Sequence, residues 1–170
     1  MTQPADQLSV HIRPFRPGDE AALRAVFHAS VHGLASTHYS PTQLQAWAPL
    51  EHDPAQWAER LQANQPFIAQ VDCAATPAIA GFADLQPTGY IDMFFVSPAY
   101  ARRGVGRALM AHIHDWAAEH GIVQLQADVS LAAEPFFAAS GFTVQARQQV
   151  ERQGLVLHNA RMAKALGSTL

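Results

Sequence analysis

VSPAYARRGVGRAL, residues 96–109, reads as the end of a β-strand, a basic glycine loop and the opening of a helix. Such a junction is an anion cradle, because the N–H groups of a helix's first turn have no intrahelical partners and the helix dipole is positive there. Gly104 and Gly106 remove side chains that would hold a phosphate or pyrophosphate away from the backbone. The pattern R-R-G-x-G-R alone fits a surface turn leading into a basic helix equally well, so the flanking segments decide its meaning.

Upstream, Tyr90 to Val96 is apolar and strand-like. Downstream, the helix from Gly104 sets Val105, Ala108, Leu109, His112, Ile113, Trp116 and Ala117 on one stripe, with Arg107, Asp115 and Glu119 elsewhere, until Gly121 stops it. Val123 to Val129 returns as a strand, which makes a β-α-β unit of the parallel, right-handed kind. A helix over Ala132 to Ser140 then leads to Gly141-Phe142, and Val144 to Val150 with Leu155 to Met162 form a hairpin around Gly154. Before the unit, Phe67 to Val71 and Ile79 to Leu85 are short apolar runs cut by turn residues, as antiparallel strands are.

The first third is helical after a short strand at His11 to Phe15. Pro17-Gly18-Asp19 turns into an amphipathic helix carrying Leu23, Val26, Phe27 and Val31, with Gly33 expected to end it. Ser40-Pro41-Thr42-Gln43 is a capping box for a helix with Leu44 and Trp47, terminated by Pro49, and Asp53-Pro54-Ala55-Gln56 starts another with Trp57 and Leu61 inward. The expected fold is α/β of the α+β kind: a mixed, mainly antiparallel sheet with helices on both faces and a central β-α-β binding site.

The chain has 170 residues, 49% hydrophobic and 15% charged, enough for one domain over residues 1–170 with a sizeable core. A net charge of -3 gives no basic field for nucleic acid. The single cysteine, Cys73, excludes an internal disulfide framework and reads as structural. The N-terminus has no signal pattern and no stretch has the length of a membrane span, which predicts a cytoplasmic protein that binds neither membrane nor nucleic acid.

Ser97-Pro98, Arg103-Gly104-Val105-Gly106 and Leu109, followed by Ser130-x-x-Ala133-x-x-Phe136-Phe137 and Gly141-Phe142, resemble the coenzyme A motifs of the GNAT N-acetyltransferase superfamily in order and spacing. The run from Tyr39-Ser40 through Gln43 to Ala46-Trp47-Ala48-Pro49 also resembles a bacterial subgroup of small single-domain members. The resemblance implies transfer of an acetyl group from acetyl-CoA to a primary amine. It implies a cofactor site of Phe94, Phe95, Val96, Arg102, Arg103, Gly104, Val105, Gly106, Arg107 and Ala108, with Ser130 on the pantetheine arm and Ala133, Phe136 and Phe137 flanking it. Two positions depart from the family pattern. Ala101 stands where the loop often has a polar residue, and Phe137 stands where many members carry a tyrosine that protonates the leaving thiolate.

Acetyl transfer from a thioester needs a neutral amine, a polarised carbonyl and a proton for the thiolate. Asp92 is the leading base, since a carboxylate in an apolar strand is costly unless it is paired or faces a cleft; it is expected on the same side as Tyr90 and Phe94, and a plain salt bridge is its alternative. Tyr90 is a candidate proton relay. Tyr39 is a candidate acid or substrate ligand, or else caps the core edge. The nine histidines, including His28 and His32 at helical spacing and His112 and His114, lack the carboxylate or cysteine that completes a ligand set, so no metal is expected. His38, Trp47 and Trp57 are candidates for lining an acceptor pocket. Cys73 lies outside both motifs and no Ser-His pair is evident, so direct attack by a small-molecule amine is expected rather than an acyl-enzyme. A homodimer is compatible with these features. The alternatives are an idle acyl-CoA-binding module and an enzyme acting on protein N-termini or lysines.

Overall fold

Alternation along the strands sorts side chains onto two faces, and each face is covered by helices. The computed structural model describes residues 8–72 and 75–167; Cys73 falls outside them. Strand β1 (Val10–Pro14) leads through Asp19 into helix α1 (Glu20–Leu34), followed by α2 (Pro41–Trp47) and α3 (Pro54–Asn64). Strands β2 (Phe67–Asp72) and β3 (Pro77–Ala83) follow, then β4 (Tyr90–Ile91) and β5 (Phe94–Val96). A 3-10 turn at Pro98–Tyr100 precedes α4 (Val105–Glu119), β6 (Gln124–Ser130), α5 (Glu134–Ala139), β7 (Thr143–Arg152) and β8 (Leu155–Ala165).

The caps formed as their residues dictate. Ser40 Oγ accepts from Gln43 N at 3.2 Å while Gln43 Oε1 accepts from Ser40 N at 2.8 Å, and Asp53 Oδ1 accepts from Ala55 N at 2.9 Å. Gly33 corrects an expectation. It lies inside α1, which continues to Leu34, and a Cβ there would stand 2.7 Å from Pro98 Cγ. Gly33 is small so that the 3-10 turn can lie against the helix, not to end it.

The strands form two four-stranded sheets, ordered β1-β2-β3-β5 and β4-β6-β8-β7. All pairs are antiparallel except β4 with β6, where Tyr90 faces Gln126 and Ile91 faces Ala127. One core lies on the α4 and α5 side and joins both sheets through Val105, Leu109, Ile113, Leu125, Ala127 and Met162. The other lies under α1, α2 and α3, with Leu23, Leu61, Ile68, Phe82 and Met93 at its centre. Tyr90 to Val96, expected as one strand, is therefore two strands in two sheets. The chain changes sheets at Asp92 and Met93.

Candidate active site

The change of sheets creates the opening. β5 pairs with β3 alone, through Gly81–Val96, Phe82–Phe95 and Ala83–Phe94, while β4 pairs with β6 alone. Beyond Ile91 the edge of β5 that would continue the parallel pair has no strand beside it among the described residues. An extended chain carrying amides can hydrogen-bond to such an edge. The break also corrects the expected facing of side chains. Phe94 packs with Ile91 into the core under α4, whereas Asp92 bonds to α3 on the other side. Irregular backbone at Asp92 and Met93 interrupts the alternation, so Asp92 does not share a face with Phe94.

At the end of the opening stands the first turn of α4. Gly104 is its N-cap, with φ +92, a left-handed conformation open to glycine at little strain. A Cβ at Gly104 would meet nothing within 4 Å, and Arg102, Arg103 and Arg107 are exposed and belong to none of the ion pairs among the described residues. Open space, unpaired helix N–H groups and three free-standing guanidiniums fit a pyrophosphate. Gly106 also has a packing role that the sequence reading did not include. A Cβ there would lie 3.3 Å from the Phe136 ring and 3.8 Å from Val96, so this glycine lets α5 approach α4. Val105 is buried in the core, and Ala108 donates to Gly104 O at 3.0 Å as the helix's first regular bond.

The opposite wall comes from the end of β6 and from α5. Ser130 Oγ accepts from Ala133 N at 3.1 Å, which fixes the turn into α5 and leaves the hydroxyl its proton to donate. The Phe136 and Phe137 rings lie 5.4 and 5.5 Å from Phe94. Phe136 is half-buried; Phe137 is 3% exposed and packs on Phe142 as core.

The polar groups gather on the α3 side of the break. Asp92 Oδ2 accepts from Arg60 Nε at 3.1 Å and Nη2 at 2.9 Å, and from Asn64 Nδ2 at 2.7 Å. Tyr90 donates its hydroxyl to Asp128 Oδ2 at 3.2 Å, and Asp128 is held in turn by Arg161 and Gln148. Burial, then the Asp128 and Asp92 charges, push the Tyr90 phenol up to about 12. Tyr39 is 6% exposed; its hydroxyl donates to His158 O at 2.6 Å and accepts from Leu131 N at 3.0 Å. With both hydrogen-bonding functions engaged, that is the geometry of an anchor for the Ser130–Ala133 turn.

Other expected pocket residues are dispersed. Trp57 is core and donates to Glu20 O at 2.8 Å, Trp47 packs edge-on to Tyr39, and His38 is exposed. His28 and His32 stack at 4.2 Å. Among the described residues no group of three His, Cys, Asp or Glu is placed to hold a metal ion, and no helix is long and apolar enough to cross a membrane. Besides Asp128 of β6, three residues of the site were not anticipated: Arg60, Asn64 and the buried Asp84. Asp84 carried the same signal as Asp92, an acid in an apolar run, A-I-A-G-F-A-D-L. The other two come from α3 and had no local signal.

A family model described as an acetyltransferase (GNAT) domain matches residues 35–165. The chain is 36% identical over 154 residues to the uncharacterized N-acetyltransferase YafP of Escherichia coli K12, covering 91% of this chain and 95% of that protein. It is 27% identical over 108 residues to an aminoglycoside N(6')-acetyltransferase type 1 of Stenotrophomonas maltophilia, covering 52% of this chain and 71% of that protein. The crystal structure of a GCN5-related N-acetyltransferase from Rhodopseudomonas palustris superposes with a TM-score of 0.86 at 34% identity, over 96% of this chain and all of that one.

Proposed function

The chain belongs to the GNAT acetyltransferase family and is an acetyl-CoA-dependent N-acetyltransferase, and we propose that its acceptor is the primary amine of a small molecule, acetylated by direct attack. The observation that carries this reading is the break at Asp92 and Met93, which leaves β5 with a free edge and Asp92 beside it on the opposite face from the Phe94 side chain. In this reading the β5 edge aligns the pantetheine amides and polarises the thioester carbonyl, while the first turn of α4 and Arg102, Arg103 and Arg107 hold the phosphates.

The acceptor lies on the α3 side, over Tyr90 and Asp92. Asp92 takes the proton from the incoming ammonium, directly or through a water held at the Tyr90 hydroxyl; the freed amine attacks the carbonyl carbon, the C–S bond breaks and the thiolate leaves, and the attacking nitrogen gives its second proton to solvent as the amide forms. Phe137 has no proton to give, so the thiolate is protonated from solvent. Mixed charge around the acceptor supports a small polar amine: Asp92 and Asp128 are each paired with an arginine, which leaves no strongly acidic groove for a basic peptide. The aminoglycoside-modifying relative, itself acting on a small-molecule amine, supports the same class.

A thiol-release screen over aminoglycosides, polyamines, aryl-alkyl amines, amino acids and N-terminal peptides tests the reading. Turnover on a small amine that falls about a hundredfold in Asp92→Asn, with acetyl-CoA affinity kept, is the expected result. Tight acetyl-CoA binding without turnover on any amine would make the protein a binding module. Unchanged turnover and pH dependence in Asp92→Asn would remove Asp92 as the base.

A further inference from the structure

Asp84 is a fully buried carboxylate that no step of the transfer uses. It follows β3 directly and reaches across to the break. Its Oδ1 accepts from Asp92 N at 2.7 Å and Met93 N at 3.3 Å, and its own N–H donates to Met93 O at 3.1 Å. Its Oδ2 accepts from Asn64 Nδ2 at 2.9 Å, the same nitrogen that donates to Asp92 Oδ2 at 2.7 Å.

We propose that Asp84 is a positioning residue for acetyl transfer: it clamps the two residues at which the chain changes sheets, and through Asn64 it aims the Asp92 carboxylate. The second half rests on the reading of Asp92 as the base. Asp92 and Met93 lie outside both strand ladders, so their N–H groups need an acceptor, and a carboxylate supplies one oxygen to both while keeping the other for Asn64. A buried carboxylate is expensive, and burial pushes Asp84 up to about 6 despite three donors. An acid kept in such a place is best explained by the geometry it imposes. If the clamp slackens, the split between β4 and β5 loses its fixed position, and with it the edge that aligns the thioester.

The test uses the full chain as Asp84→Asn, Asn64→Ala, Asp92→Asn and the exchange Asn64→Asp with Asp84→Asn. In Asp84→Asn the new amide must present a donor either to the Asp92 and Met93 N–H groups or to Asn64. The expected result is acetyl-CoA binding weakened about tenfold by calorimetry, faster hydrogen exchange at the Asp92 and Met93 amides, and kcat lowered at least about tenfold. Asn64→Ala keeps the clamp but not the aim, so it lowers kcat about tenfold and leaves acetyl-CoA affinity within about twofold. The exchange restores an acid-amide pair across the same contact but sets a carboxylate against Asp92. It recovers acetyl-CoA affinity without recovering kcat.

A folded Asp84→Asn with affinity, exchange and turnover within about twofold of wild type overturns the proposal. If that variant does not fold, an exchange variant that folds but binds acetyl-CoA at least about tenfold more weakly than wild type overturns it instead. Asp92→Asn separates the two readings. Turnover retained there removes the base and the aim with it, while the acetyl-CoA affinity of Asp84→Asn still reports on the clamp alone.

Discussion

Tyr90 donates its hydroxyl to Asp128 at 3.2 Å, tying the start of β4 to the residue of β6 just beyond their ladder, on the face where the acceptor is proposed to lie. Burial and the Asp128 charge raise the phenol to about 12, so it keeps its proton throughout the range in which the enzyme can be assayed. Tyr90 therefore contributes no falling limb to kcat/KM at basic pH. Tyr90→Phe is expected to lower kcat about tenfold with acetyl-CoA KM unchanged. Steady-state kinetics across the pH range checks both statements; an unchanged kcat would assign the hydroxyl to Asp128 alone.

Asp84 makes stability depend on pH with a definite sign. Its folded value of about 6 lies above the ordinary 3.8, so folding favours the protonated form. The stability it contributes is complete below 3.8 and is lost as the pH rises through about 6. At ~1.4 kcal/mol per pKa unit, wild type is expected to gain about 3 kcal/mol on Asp84→Asn as the pH is lowered across that window. Urea midpoints of the two proteins at both ends of the window measure the difference. A difference that does not change with pH would contradict it.

Gly33→Ala sets helix propensity against packing. Alanine is favoured over glycine inside a helix by about 1 kcal/mol. Here its Cβ would lie 2.7 Å from Pro98 Cγ, in a ring that cannot rotate away. The clash is expected to win, with a net loss of about 1–2 kcal/mol and weaker acetyl-CoA binding, because Pro98 begins the turn that leads to the α4 loop. Thermal unfolding and calorimetry check this; a stabilised variant would show that the turn yields freely.

How far these features can be read in the sequence depends on how local their causes are. The capping box at Ser40, the side-chain cap at Asp53, which forms without the reciprocal glutamine bond, the β7–β8 hairpin at Gly154 and the α4 stripe, apart from the exposed Trp116, follow from residues a few positions apart and formed as read. Gly33 reads as a terminator in the sequence because its partner, Pro98, is distant in the chain. The split of Tyr90 to Val96 was hidden for a similar reason. A run of apolar residues looks like one strand, and the carboxylate that breaks it at Asp92 and Met93 arrives from Asp84. The cofactor side of the site was legible because its motifs are contiguous. The acceptor side depends on Arg60 and Asn64 of α3 and Asp128 of β6, which reach it from elements distant in the chain.

The central claim is that acetyl-CoA lies along the free edge of β5 with its phosphates at the first turn of α4. Calorimetric titration of acetyl-CoA into wild type, Gly104→Asn and Gly104→Glu tests it most directly. Gly104 has φ +92 and open space around it; asparagine tolerates that conformation comparatively well, whereas glutamate adds a negative charge where phosphate must sit. Wild type and Gly104→Asn are expected to bind within about fivefold of each other and Gly104→Glu at least about tenfold more weakly, all three folded. A folded wild type that does not bind acetyl-CoA, or a Gly104→Glu variant that binds as wild type does, would contradict the account.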